Sequence, residues 1–278
     1  MNKAPAARAA SHAPSTGFGA FLAQILSDRD QYFEEVVQGE ALKDKLAQAL
    51  GLLVTLSALY GAAAGAYAGP LQALASAIKL PFLFLGTLAI CFPGFFVIQV
   101  LVGSRLGLAQ VLALVLGALS LSAILLAAVI PITTFFLLTG ANYYFLTLLH
   151  VVLVLGAGLA GMAVLHEGLA YACEKRGVYP RKAMTIMKVW AVLFAFVGIQ
   201  MAWNLQPFVG GRGRPFELFR RNEGNFYTAV VYSLRKLAHD EGRSETDRDE
   251  PPSNIRGPAA AMPYEFHTPE DSTGAHPR

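Results

Sequence analysis

The stretch "YGAAAGAYAGPLQALASAIKLPFLFLGTLAICFPGFF", residues 60–96, decides the fold class. It holds 37 residues and one charged side chain, Lys79. Working outward from it, only nine charged residues occur between Leu46 and Leu205, and the other charges lie towards the two ends of the chain. The whole chain is 15% charged, whereas a soluble domain has about 25%. This pattern predicts an all-α polytopic membrane protein rather than a water-soluble globule.

Five apolar blocks in this region predict five transmembrane helices, which together form a domain of residues 46–205. Each block is close to the ~20 residues that a helix needs to cross about 30 Å of hydrocarbon. The blocks are residues 46–68, 80–102, 106–130, 144–165 and 183–203. Residues 71–78 are predicted to form a separate, short re-entrant or interfacial helix. Residues 131–139 are predicted to extend the third span beyond a kink at Pro131.

The regions outside the spans differ from one another in composition. Residues 1–17 and 241–278 are polar and rich in proline or small residues, which predicts disorder. Residues 18–45 have apolar positions at helical spacing and are predicted to form amphipathic helices on the membrane surface or against the spans. A soluble helical cap is the alternative for them. Residues 206–240 form a juxtamembrane segment with arginines and aromatic residues and are predicted to include a short helix.

Basic residues near the span ends favour a cytoplasmic N-terminus. With that orientation, ten Lys and Arg residues fall on the inner segments and five on the outer ones. The positive-inside rule therefore places the N-terminus inside and the C-terminus outside. The alanine-rich composition, the short loops and the lack of a signal peptide favour a bacterial inner membrane.

Two sets of glycines are predicted to mediate helix packing, because a position without a Cβ lets two backbones approach closely. They are Gly61, Gly65 and Gly69 in the first span, and Gly156, Gly158 and Gly161 in the fourth. The prediction is that the first span packs against the fourth within one bundle. The alternative is a seam between the subunits of a homo-oligomer.

Few ionisable residues lie within the spans. Glu167 ends the fourth span and Lys188 lies about one turn into the fifth, so the two are predicted to form an interfacial ion pair. His150 is predicted to be a packed, hydrogen-bonded residue rather than a haem ligand. The reason is that His166, on the same helix, lies about 24 Å away along the axis.

Eight residues of the juxtamembrane segment are predicted to contact lipid headgroups or a protein partner. They are Arg212, Arg214, Phe216, Phe219, Arg220, Arg221, Phe226 and Tyr227. The sequence contains no phosphate-binding loop and no hydrolase or metalloprotease motif. It therefore predicts no enzyme activity, no cofactor, no metal and no nucleic-acid partner.

The order of elements resembles that of the Yip1-domain class of small polytopic membrane proteins. An acidic amphipathic stretch, "ILSDRDQYFEEVVQGEALKDKL", precedes a small-residue span with "GAAAGAYAG" and then the proline-bearing "AIKLPFLFLGTLAICFPGFFVIQVLVG". The resemblance implies a five-span bundle with a cytosolic N-terminus that acts in membrane organisation or trafficking without catalysis. The C-terminal "RPFELFRRNEGNFY" departs from that class, and the resemblance assigns no functional residue.

The sequence favours a non-catalytic anchor, scaffold or regulatory subunit that recruits a protein partner through its termini. The alternative is a channel or transporter subunit built around Pro93, Gln99 and His150, because a kinked span and buried polar groups mark many transport pathways.

Overall fold

The computed structural model describes residues 17–139, 143–175, 177, 180–209, 218 and 235. The chain divides into two units, residues 1–238 and 239–278, and every described residue belongs to the first. The described residues form eight α-helices and contain no strand. The helices are α1 (Phe18–Ser27), α2 (Arg29–Gln38), α3 (Leu42–Gly65), α4 (Pro70–Leu101), α5 (Leu108–Ala128), α6 (Ile130–Leu138), α7 (Tyr143–Glu174) and α8 (Arg181–Asn204).

Five segments are long and apolar enough to cross a membrane, which confirms the predicted helical bundle with five spans. They are α3, α4, the pair α5 and α6, α7, and α8. α5 and α6 form one span because only Val129 separates them, and Pro131 lies in the first turn of α6. The third span thus continues past Pro131, as predicted.

Two of the spanning helices are longer than predicted. α4 is one continuous helix of 32 residues that contains Pro81 and Pro93, so the predicted separate helix at residues 71–78 is wrong. α7 also has 32 residues and continues well beyond residue 165. At 1.5 Å per residue each is about 48 Å long, which exceeds a hydrocarbon thickness of about 30 Å. Each of these two helices therefore has about ten residues more than it needs to cross the hydrocarbon.

α5 lies at the centre of the bundle. It packs between α3 and α7, while α3 also packs on α4, and α4 packs on α8. The Ser120 hydroxyl on α5 donates to the Ala49 carbonyl of α3 at 2.9 Å. The Ser122 hydroxyl, on the same helix, donates to the Ala157 carbonyl of α7 at 2.9 Å. α8 is peripheral, since it buries only Ala183, Met187 and Trp190.

The glycines of α3 pack against α4 and not against the fourth span. A Cβ on Gly61 would lie 2.8 Å from the carbonyl carbon of Ser76, and one on Gly65 would lie 2.5 Å from the carbonyl oxygen of Gln72. The predicted partner helix was therefore wrong. The short turn after Gly65 folds α4 back along α3, so these glycines meet the next helix of the chain.

The remaining predicted packing glycines have different positions. Gly161 on α7 faces α5, where a Cβ would lie 2.7 Å from the Ala118 carbonyl oxygen. Gly69 lies in the turn before α4 with a φ of 135°, a conformation that glycine adopts without strain. A Cβ on Gly156 or Gly158 would meet nothing within 4 Å. Of these four glycines, Gly161 therefore lies at a close contact between two helices, and Gly69, Gly156 and Gly158 do not.

Candidate functional site

The N-terminal helices α1 and α2, here called the cap, pack on the end of the bundle at which α3, α5 and α8 begin. We call this the cap end. The last turns of α7 support the cap through Gly168, where a Cβ would lie 2.9 Å from the Phe33 ring. Near it, Tyr171 donates to the Glu34 carboxylate, and Lys175 pairs with Asp30 at 3.2 Å. The extension of α7 therefore holds the cap.

Tyr32 of the cap inserts into the bundle. Its side chain is fully buried, and its hydroxyl donates to the Ala113 carbonyl of α5 at 2.7 Å. Gly117 makes room for the ring, because a Cβ there would lie 2.6 Å from the Tyr32 hydroxyl oxygen. Burial raises the pKa of Tyr32 above its ordinary value of 10.0, so the phenol stays protonated. Residues 18–38 thus form helices that pack against the spans, which is one of the two placements predicted for residues 18–45.

A polar cluster around Glu35 joins the cap to the start of α3. Lys45, which is nearly buried, pairs with the Glu35 carboxylate, and Gln24 and Gln31 donate to it at 3.0 and 2.8 Å. Burial by itself would raise the pKa of Glu35. The hydrogen bonds from Lys45, Gln24 and Gln31 and the Lys45 charge outweigh burial and lower this pKa.

We expect acid to weaken this attachment. Because the folded pKa of Glu35 is lowered from 4.5, the ionised carboxylate contributes stability that is present above that value and lost as the pH falls through the folded pKa. The melting temperature of the wild type should exceed that of Glu35→Gln near pH 7, and the difference should shrink below about pH 4.5. Glu40→Gln, at an exposed position, is the control. A difference that does not change with pH would contradict the assignment.

The predicted ion pair between Glu167 and Lys188 is wrong. Glu167 pairs with Arg29 of the cap at 3.0 Å, and Lys188 is exposed on α8. The physical reason is that α2 lies along the last turns of α7 and takes the place next to Glu167. Because the Arg29 and Glu167 side chains are both partly exposed, their ion pair contributes about 0–1 kcal/mol to the free energy of unfolding.

At the opposite end of the bundle, residues 205–209 fold back on α4. We call this the tail end. Gln72 donates to the Pro207 carbonyl at 2.6 Å, and Ser76 donates to the Phe208 carbonyl at 2.6 Å. The Lys79 ammonium donates to the Pro207 carbonyl at 3.3 Å and also to the Leu218 carbonyl. The first turns of α4 thus hold the chain that leaves α8, as the last turns of α7 hold the cap.

Phe208 completes an aromatic group with Tyr60 and His150. The Tyr60 and His150 rings stack with centroids 5.5 Å apart, and the Tyr60 hydroxyl lies 3.1 Å from Nδ1 of His150. The Phe208 ring centroid lies 5.8 Å from that of His150. The prediction that His150 is packed and hydrogen-bonded is confirmed.

The three residues of the predicted transport pathway do not come together. Pro93 is exposed, whereas Gln99 is fully buried, and neither of its side-chain polar atoms is hydrogen-bonded to a residue that the structure describes. His150 contacts Tyr60, and the adjacent Gly61 lies against residues 76 and 77 of α4. His150 therefore lies near the level of residues 76 and 77 of α4. Gln99 is further along the same helix by about 33 Å, counted from residue 77 at 1.5 Å per residue.

The eight predicted contact residues of the juxtamembrane segment lie outside the described residues, as does most of its predicted short helix. They are Arg212, Arg214, Phe216, Phe219, Arg220, Arg221, Phe226 and Tyr227. It was not predicted from the sequence that Gln72 and Ser76 bind the chain after α8, nor that Phe208 packs at the tail end of the bundle. The signal that could have identified the first two is their spacing with Lys79, since positions i, i+4 and i+7 lie on one helix face.

Comparison with known protein families, with curated proteins and with solved structures finds no match for this chain. The resemblance to the Yip1-domain class therefore stays a prediction.

Proposed function

We propose that this chain is a non-catalytic integral membrane protein that acts as an anchor, scaffold or regulatory subunit of a membrane-associated complex. In this proposal the bundle holds two terminal segments at opposite faces of the membrane. The cap and the chain beyond residue 209 would be presented to protein partners.

The observation that carries the proposal is the pair of long helices, α4 and α7. Each has about ten residues more than a helix needs to cross the hydrocarbon, and in this proposal the extra turns lie at opposite ends of the bundle. Each extension is occupied by a terminal segment through side-chain hydrogen bonds: the one on α7 binds the cap, and the one on α4 binds Pro207 and Phe208. The centre of the bundle is apolar and packed, because α5 buries most of its residues. This arrangement suits a rigid support.

The proposed orientation places the cap in the cytoplasm of a bacterial cell. Up to Val209, the described basic residues lie almost entirely at the cap end, with Lys79 as the exception at the tail end. Those at the cap end are Arg29, Lys43, Lys45, Arg105, Lys175, Arg181, Lys182 and Lys188. Positive residues favour the cytoplasmic side, which supports a cytoplasmic cap and an outer tail end.

The test is partner capture with two variants that leave the bundle intact. Truncation after Val209 removes residues 210–278, so Lys79 loses the Leu218 carbonyl but keeps the Pro207 carbonyl as an acceptor. The charge swap Lys43→Asp/Asp44→Lys alters an exposed corner beside the cap without changing the net charge. Cross-linking in membranes followed by mass spectrometry should show a partner that is lost in one variant while the melting temperature stays within a few degrees. An unchanged set of cross-linked proteins in both variants would refute recruitment through the ends of the chain.

A channel or transporter subunit is the second candidate, and Gln99 is the observation in its favour. A buried amide without a hydrogen-bond partner is rare and marks a functional position or a bound water. Ion flux from the purified protein in liposomes that Gln99→Leu changes would favour this candidate. If Gln99 only packs, the same substitution should leave the melting temperature unchanged or raise it, because it removes two unsatisfied polar atoms.

A further inference from the structure

The exposed face of α8 at the cap end combines basic and apolar side chains. Arg181 and Lys188 are both exposed there, and the exposed Lys182 lies about 100° around the helix from Arg181. Below them, Val192 and Phe196 continue the same face at 71% and 51% exposure. Residues 181, 188, 192 and 196 are separated by seven, four and four positions, which places them on one side of a helix. The face therefore has a charged upper part and an apolar lower part.

Lys188 is the unusual member of this face. It lies seven residues, or about 10 Å, below Arg181 along the axis. Its neighbour Val189 is 67% exposed and α8 is long and apolar enough to cross a membrane, so we expect lipid around Lys188. Within the described part of the chain no carboxylate pairs with Lys188. Its predicted partner, Glu167, is bound to Arg29 instead. A charge at this depth requires either a route to the interface or a compensating anion.

The direction of the helix supplies the route. Side chains on a helix tilt towards its N-terminus, and for α8 that direction leads to the cap end. The four-carbon stem of Lys188 can therefore run along the apolar surface while its ammonium rises towards Arg181. Lys188 and Arg181 then provide two positive groups on one side of α8, above the positions that acyl chains would contact.

We propose that this face of α8 binds an anionic phospholipid, with Arg181 and Lys188 at its phosphate and with Val192 and Phe196 against its acyl chains. Phosphate oxygens are strong acceptors for ammonium and guanidinium donors. The cytoplasmic leaflet, where the basic residues place the cap end, is the leaflet that attracts such positive segments. This inference requires membrane insertion but does not depend on the scaffold role.

The test measures binding of phosphatidylglycerol to the full chain. A fluorescent phosphatidylglycerol is titrated into the purified protein in neutral detergent, with fluorescent phosphatidylcholine as the reference lipid. The test variant is Arg181→Gln/Lys188→Gln. The matched control is Lys43→Gln/Arg105→Gln, which removes the same charge from exposed positions at the same end of the bundle but away from α8. Equal melting temperatures of the two variants in phosphatidylcholine check that both bundles are folded.

The wild type should prefer phosphatidylglycerol, and the test variant should bind it about fivefold more weakly for each side chain removed, which is the contribution of one basic residue near an anionic surface. The control should keep wild-type affinity. Three results would each overturn the proposal: equal binding of the two lipids by the wild type, an equal loss in the control, or displacement of the lipid by inorganic phosphate at matched ionic strength. The second would indicate a diffuse attraction, and the third a site for free phosphate.

Discussion

Alanine at Gly61 is expected to lower the melting temperature of the purified bundle and to push α3 away from the first turns of α4. The new Cβ would lie 2.8 Å from the carbonyl carbon of Ser76 and 3.2 Å from Cα of Ala77. Both are backbone atoms within a helix, so no side-chain rotation relieves the overlap. Overpacking of this kind costs about 1–3 kcal/mol.

Gly65→Ala should act in the same way, since its Cβ would lie 2.5 Å from the Gln72 carbonyl oxygen. The matched control is Gly156→Ala on α7, where a Cβ meets nothing within 4 Å and alanine favours the helix. Thermal unfolding in one detergent should show large losses for the first two substitutions and none for the control. Equal melting temperatures for Gly61→Ala and Gly156→Ala would mean that α3 and α4 are not in close contact.

Displacement of α4 should also be detectable at the tail end. The turns of α4 that Gly61 and Gly65 face carry Gln72 and Ser76, whose side chains hold the carbonyls of Pro207 and Phe208. A shift of these turns is expected to weaken those hydrogen bonds. The close packing of α3 on α4 and the hydrogen bonds from α4 to the carbonyls of residues 207 and 208 therefore depend on the same turns of α4.

The number of spans was predictable from the sequence, but the helix ends were not. Length and apolarity suffice to count spans because lipid imposes a minimum length on every crossing helix. Residues 71–78 looked separate because Lys79 and Pro81 follow them. In the structure the helix continues through both, and carbonyls of residues 207 and 218 accept hydrogen bonds from Lys79. Those acceptors come from a distant part of the chain, and no local pattern predicts them.

The partners of the predicted residues were equally hard to predict. Glycine spacing identifies a helix face but not the helix that meets it, so the contact of Gly61 with α4 had to come from the structure. Glu167 and Lys188 lie on consecutive spans, which made their pairing reasonable. The actual partner of Glu167, Arg29, is 138 residues away in the sequence. Charged residues on a surface have many partners within reach, and small differences in packing decide among them.

Truncation of Tyr32 to alanine is expected to produce the largest loss of stability among single substitutions in the cap. The ring is fully buried and touches Phe21 and Phe33, with centroids 5.7 and 6.0 Å away. Removing a buried aromatic side chain costs about 3–5 kcal/mol, since its transfer energy is lost and a cavity remains. Tyr32→Phe should cost only about 1 kcal/mol, the value of the hydrogen bond to Ala113. Melting temperature and protease cleavage within residues 17–41 are the measurements.

A double-mutant cycle with Gly117 tests the contact itself. Gly117→Ala should destabilise the wild type, because its Cβ would lie 2.6 Å from the Tyr32 hydroxyl oxygen and 2.9 Å from the ring carbon that bears it. In the Tyr32→Ala background the same substitution should be harmless, since the new methyl group enters the empty space. Tyr32→Phe should not rescue it, because the ring carbons remain. Additive effects of Gly117→Ala and Tyr32→Ala would show that the cap does not insert beside α5, since independent sites add and contacting ones do not.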